Sequence, residues 1–241
     1  MFVYADNAAT TRIAPQVLDA MLPYLKEEYG NPSTLYKLGR EAKIAIEKAR
    51  EQVAQVIGAK AEEIFFTGSG TEADNMALKG VLYGPAGKGK KHLITTKIEH
   101  HAILHTAMAL EKEGFQVTFL DVDKNGRVDL EELKQAITPD TALVSIMAAN
   151  NEVGTIQPIE EIGKICREKG VLFHTDAVQA FGHMPLDVNK MNIDLLSLSA
   201  HKINGPKGSG ALYIRRGLGL RPVIEGGGQE RNRRSGTENV A

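Results

Sequence analysis

Lys202 closes the run Ser197-Leu198-Ser199-Ala200-His201-Lys202, and an acid-ended apolar strand, Val171 to Asp176, precedes it by one structural unit. A lysine that condenses with an aldehyde must shed its proton, which a partly apolar setting after a buried strand promotes. A carboxylate such as Asp176, ending the neighbouring parallel strand, can hold a proton on an aromatic ring nitrogen. Amine and carboxylate together suit pyridoxal phosphate, whose protonated ring acts as an electron sink. A lysine taken alone is usually a solvated surface charge, so Lys202 stands out only through this context.

A third element supplies a place for phosphate. In Thr67-Gly68-Ser69-Gly70-Thr71-Glu72-Ala73-Asp74 a strand enters a Gly-rich turn and then a helix. Free amides and the positive helix end there suit a dianion, although Ser69 and Thr71 could equally serve a plain helix cap.

The elements that must position these groups follow from periodicity. Helical patterns cover Pro15 to Tyr29 and the stretch around Ala42, Ala45, Ala49, Val53 and Val56, ending at Gly58. Short apolar runs then read as strands at Ile64–Thr67, Leu93–Thr96, Val117–Leu120, Leu143–Met147, Val171–Thr175, Leu195–Leu198 and Ala211–Ile214. Helices are expected between them at Thr71–Tyr83, Ala102–Lys112, Leu130–Ile137 and Ile159–Lys169. Such alternation predicts an α/β fold: a mainly parallel seven-stranded sheet with helices on both faces and ligands at the strand C-terminal ends.

Composition narrows the function classes. The 29 Lys and Arg balance 30 Asp and Glu, a formal charge of −1, so no basic footprint for nucleic acid is present. The start, Met1-Phe2-Val3-Tyr4-Ala5-Asp6, has no signal-peptide pattern, and no apolar run approaches the roughly 20 residues that span a bilayer, so a cytoplasmic setting is expected. One cysteine, Cys166, excludes an internal disulfide.

Three local patterns are discounted, and no metal site is expected. Asp121 to Glu132 carries the Asp, Asn, Gly and Glu positions of an EF-hand loop, but Gly114 to Leu120 before it has strand character; a turn with Asp129 capping the next helix is the better reading. Gly84 to Lys91 approaches a phosphate-binding loop but puts Lys91 where Ser or Thr is needed. His101 and His105 share a helix face without a third ligand.

The ordered segments Asp6-Asn7-Ala8-Ala9-Thr10-Thr11, Gly30-Asn31-Pro32-Ser33, Thr71-Glu72-Ala73-Asp74-Asn75, Glu99-His100, Asn150-Asn151-Glu152-Val153-Gly154, Asp176-Ala177-Val178-Gln179, Ser199-Ala200-His201-Lys202 and Arg234-Ser235-Gly236-Thr237 make the chain resemble the cysteine desulfurases. These are class-V aminotransferases of pyridoxal phosphate fold type I, and the Arg-Ser-Gly-Thr form is similar to the branch that supplies sulfur for iron–sulfur clusters. The resemblance implies that Lys202 carries the cofactor and moves the Cα proton, and that Asp176 faces the pyridine nitrogen. It further assigns Gln179 to the ring hydroxyl, His100 to stacking on the ring and proton transfer, and Asn151 to the ring hydroxyl and substrate carboxylate. Gly70, Thr71, Ser199 and His201 would hold the phosphate, with Thr237 arriving from a second subunit of a homodimer. L-cysteine is the implied substrate, L-alanine the product, and an iron–sulfur scaffold or other protein the sulfur acceptor.

Residues 1–14 are then an N-terminal segment and residues 15–241 the cofactor-binding large domain, with the C-terminal small domain absent. The family carries its sulfur-accepting cysteine and a carboxylate-binding arginine beyond Arg-Ser-Gly-Thr, whereas this sequence ends four residues after Thr237. A chain that binds cofactor and activates substrate without completing turnover is the resulting expectation. Cys166 is expected to be a buried structural thiol, about 15–20 Å from the cofactor by strand length. The alternatives are a selenocysteine lyase or another aminotransferase of the same fold, or a non-catalytic dimerisation module that keeps the cofactor site.

Overall fold

The computed structural model describes residues 1–241. Helices α1 (Pro15–Lys26) and α2 (Lys37–Val56) precede an alternating series: β1 (Ile64–Thr67), α3 (Gly70–Leu82), β2 (His92–Thr96), α4 (His101–Lys112), β3 (Gln116–Leu120), α5 (Leu130–Ala136), β4 (Thr141–Ser145), α6 (Ile159–Lys169), β5 (Leu172–Asp176), β6 (Leu195–Ser199) and β7 (Gly210–Ile214). The periodicity therefore locates every strand within about two residues of its observed bounds. The first helix is shorter than expected, ending at Lys26 rather than Tyr29.

The seven strands lie in the order β1-β7-β6-β5-β4-β2-β3. Only β7 runs against its neighbours, β1 and β6, so all other C-terminal ends share one edge. Strands β2, β4, β6 and β7 are buried along their whole length, as continuous apolar runs covered on both faces must be.

Alternation along the strands divides the core. Ile94, Val144, Phe173, Leu196 and Tyr213 pack with Ala54, Leu133, Ile162 and Cys166 from α2, α5 and α6. Leu93, Leu143, Leu195 and Leu212 pack with Ala73, Leu78, Ile103 and Leu110 from α3 and α4. The discounted loop behaves as a turn: β3 leads into it, Asp123 Oδ1 accepts the Asn125 and Arg127 amides, and Asp129 caps α5 through the Glu131 and Glu132 amides. No helix is long and apolar enough to cross a membrane.

Candidate active site

A cavity of about 510 Å³ opens at the shared C-terminal edge of the sheet. Its walls come from several strand ends and from the N-terminal segment. After β1, Ser69 caps α3 by accepting the Glu72 amide at 3.1 Å, which puts Gly70 and Thr71, the first helical residues, on the cavity surface with amides that have no intrahelical acceptor. A Cβ on Gly70 would lie 2.6 Å from Val178 Cγ2, so only glycine permits this close packing of helix and β5 loop.

Asp176 ends β5 on the cavity floor, 5% exposed. Burial raises its carboxyl pKa, opposed by the Val178 amide at 2.9 Å and by the charges of His100 and Lys202. Lys202 sits in the tight turn Ala200–Lys202 after β6, where burial lowers its pKa and the carboxylates Asp176, Asp6 and Glu152 act in the other direction. Its Nζ donates to the Ala8 and Ala9 carbonyls, the latter at 3.0 Å, and Gln179 Nε2 donates to Ala8 O at 2.9 Å. The N-terminal segment therefore forms one side of the cavity.

His100 caps α4, its Nδ1 accepting the Ala102 amide at 3.1 Å, which assigns the ring proton of the neutral form to Nε2. His201 Nδ1 lies 3.1 Å from Thr10 Oγ1; burial lowers its pKa, with Lys202 and Lys207 adding to the effect. Ser199 is buried at the end of β6, and Asn151, after β4, donates to Glu152 Oε1 at 2.6 Å. Lys202, Asp176, Gln179, His100, Asn151, Gly70, Thr71, Ser199 and His201 thus all line a single cavity. Thr237 does not: it is exposed and lies outside the lining of its own chain.

These residues fit pyridoxal phosphate. A buried carboxylate can face a ring nitrogen, an amine of lowered basicity can reach an aldehyde, and the start of α3 with Thr71, Ser199 and His201 offers donors to a dianion.

The structure adds buried acids to which sequence reasoning gave no role. Glu99, 5% exposed, accepts Thr96 Oγ1 at 2.7 Å and the Met147 amide at 3.0 and 3.1 Å, tying the β2 end to the β4 end beside the cavity. Burial pushes its pKa up from 4.5 to about 8. His174, two residues before Asp176 on the same sheet face, is pushed down by burial from 6.5 to about 3. The signals available were the adjacency of Glu99 to His100 and the two-residue strand period that puts His174 on the face of Asp176.

Opposite linkage follows for the cofactor-free protein. Glu99 stabilises the fold fully below pH 4.5 and loses that contribution as pH rises toward about 8; His174 contributes fully above pH 6.5 and loses it as pH falls toward about 3. Taken alone, these two contributions cancel between 4.5 and 6.5 and act singly on either side, by up to about 1.4 kcal/mol per pH unit for each group. Asp74 and Asp176, both raised by burial, contribute fully only below pH 3.8 and lose that contribution as pH rises from there, so the net unfolding free energy falls with rising pH through that window and beyond it. Urea titrations across this range check it, and Glu99→Gln should flatten the alkaline limb.

Cys166 lies in the core on α6, 1% exposed and outside the cavity lining, with burial pushing its thiol up to about 12. Ellman's reagent at about pH 8 is expected to leave it unmodified in the folded protein and to titrate it fully in denaturant. The rings of His101 and His105 stack 5.0 Å apart on the exposed face of α4.

Residues 3–241 match the family model described as aminotransferase class-V. The chain is 58% identical over 238 residues to cysteine desulfurase IscS of Methanosarcina thermophila, covering 99% of this chain and 59% of that protein. It is 57% identical to the mitochondrial cysteine desulfurase of Drosophila melanogaster, covering 98% and 51%. Among solved structures, a NifS-like protein superposes with a TM-score of 0.96 at 51% identity, covering all of this chain and 66% of that one. SspA in complex with cysteine superposes at 0.95 and 44% identity, covering 98% and 69%.

Proposed function

Because the chain belongs to the class-V aminotransferase family, we propose that it provides the pyridoxal phosphate site of a cysteine desulfurase, acting on L-cysteine to give L-alanine. The observation that carries this reading is the meeting of Lys202, Asp176 and the start of α3 in one cavity. The names of the relatives and the cysteine in the SspA complex support the substrate.

When bound, pyridoxal phosphate supplies a protonated ring that accepts the electron pair left on the substrate Cα. Asp176 keeps the ring nitrogen protonated from the cavity floor. Gly70, Thr71, Ser199 and His201 hold the phosphate, while Gln179 and Asn151 orient the ring hydroxyl and Asn151 the substrate carboxylate. His100 packs over the ring. Lys202 would hold the cofactor through its amine, and that amine, once free, would take the substrate Cα proton. The C–S bond breaks with sulfur passing to a cysteine thiol as a persulfide, destined for an iron–sulfur scaffold or other acceptor protein. Cys166 is not that thiol, being buried and held protonated.

A homodimer completes the site in this reading, with residues 15–241 as the cofactor-binding large domain and residues 1–14 as a segment against it. Its support is the position of Thr237 outside its own cavity and the helix α1, which buries none of its residues and exposes Leu18 and Leu25.

The test is visible absorption of the protein incubated with pyridoxal phosphate, before and after L-cysteine, with amino-acid analysis of the product. Cofactor absorption that L-cysteine changes is expected, with alanine formed only when dithiothreitol stands in for the sulfur-accepting thiol that Cys166 does not provide. No cofactor binding, or a keto acid instead of alanine, overturns the reading.

A further inference from the structure

One layer below the cavity floor, on the face covered by α3 and α4, three strands line up polar side chains. His174 Nδ1 on β5 lies 2.8 Å from Ser145 Oγ on β4, and its Nε2 lies 3.0 Å from Ser197 Oγ on β6. All three residues are fully buried. Asp74 of α3 meets this line: it is 1% exposed, and its Oδ1 stands 3.7 Å from His174 Nε2 without a hydrogen-bond partner. Ser197, bonded to His174 Nε2, is also a neighbour of the Asp74 carboxyl. Asp74 also lines the cavity, where Asp176 is the other buried carboxyl.

Two buried carboxyls on one cavity wall cannot both ionise without a large cost, so one of them keeps a proton. Their surroundings decide which. Asp176 accepts the Val178 amide and faces His100 and Lys202. Asp74 faces the hydroxyl of Ser197, the imidazole of His174 and the like charges of Asp176 and Glu99. An oxygen without a partner is tolerable on a neutral carboxyl and far more costly on a buried carboxylate.

We propose that Asp74 is a positioning residue of the cofactor site, a carboxyl that keeps its proton so that the pair's single negative charge rests on Asp176, and that fixes the His174 ring through Ser197. The hydrogen bonds then run one way: Asp74 donates to Ser197, Ser197 to His174 Nε2, and His174 Nδ1–H to Ser145. An ionised Asp74 would reverse every bond and move the ring proton to Nε2. Burial acts in the same sense, raising Asp74 well above the carboxylate range and holding His174 neutral.

The charge assignment rests on the cofactor reading, while the direction of the chain does not, so two measurements separate them. In cofactor-free protein labelled with ¹⁵N-histidine, His174 is expected as one neutral tautomer protonated on Nδ1 from about pH 6 to about pH 8, with the preference lost in Ser197→Ala. A tautomer protonated on Nε2 in the wild type overturns the proposal. In equilibrium binding of pyridoxal phosphate, Asp176→Asn is expected to weaken affinity by about 100-fold or more and Asp74→Asn by less than about fivefold. Equal losses in the two variants mean that the charge is not confined to Asp176 and overturn the proposal as well. If the wild type binds no pyridoxal phosphate, the cofactor reading fails, and the tautomer of His174 still decides the role of Asp74.

Discussion

Lys202→Ala is expected to hold pyridoxal phosphate only reversibly and to slow alanine formation from L-cysteine by about 10³-fold or more. Lys202 is the only lysine lining the cavity, so no second amine can form the covalent link in its place. Its Nζ stands at the mouth, held by two backbone carbonyls, and burial has already made the amine easier to deprotonate. The groups proposed for phosphate and ring nitrogen remain in the variant, so the cofactor still enters. Dialysis followed by visible absorption reads the covalent hold, and timed amino-acid analysis reads the rate. A variant that keeps its cofactor through dialysis and forms alanine at the wild-type rate removes Lys202 from the centre of the site.

The second large effect is on stability, at a distance from the cavity. Glu230, 5% exposed, accepts Arg50 Nη1 at 2.7 Å, Arg50 Nη2 at 2.9 Å and the Phe66 amide at 2.9 Å. Arg50 also donates to Ile64 O at 2.7 Å and lies over the Phe66 ring, 4.9 Å from its centroid. The forked geometry spans α2, β1 and the turn Glu230–Asn232, whose three residues all have positive φ, between 45° and 63°. Such backbone persists only where surrounding contacts hold it, and this pair is that contact. Glu230→Ala strands a buried guanidinium and is expected to cost about 3–5 kcal/mol, lowering the melting temperature by roughly 10 °C. Calorimetry checks the loss, and Arg50→Met combined with Glu230→Leu should recover most of it, because the stranded charge is then gone. The same turn leads to Arg234, whose guanidinium bonds Glu72 of α3 at 2.7 Å, so its collapse would disturb the Gly70 turn as well.

The fold was legible because most strands are covered on both faces and therefore read as unbroken apolar runs between helical patterns, as with Leu143 to Met147 and Ile159 to Lys169. The site was legible where local grammar expresses it: an acid ending an apolar strand at Asp176, a Gly-rich strand-to-helix turn at Gly70, a lysine one turn past β6. What stayed hidden depends on distant partners. The bond between Lys202 and Ala8 joins positions 194 residues apart, and no periodicity encodes which carbonyl a lysine will meet. In the sequence Asp74 stands only at the end of the Gly-rich motif and within the Thr71–Asn75 segment, with no role of its own, because its meaning comes from His174 and Asp176 in the sheet below. Glu230 gave no signal either, since a turn with positive φ at Glu and Arg runs against local preference and exists through its partner in α2.

The antiparallel insertion of β7 between β1 and β6 has a consequence for how the molecule is made. A ribosome delivers β1 early, yet β1 has no sheet neighbour other than β7, whose pairing joins Ile64 to Tyr213. The Gly70 turn therefore cannot be locked in place until β7, about 150 residues later, has emerged, and until then β1 is left as an unpaired strand. High contact order of this kind slows folding and prolongs the exposure of that edge.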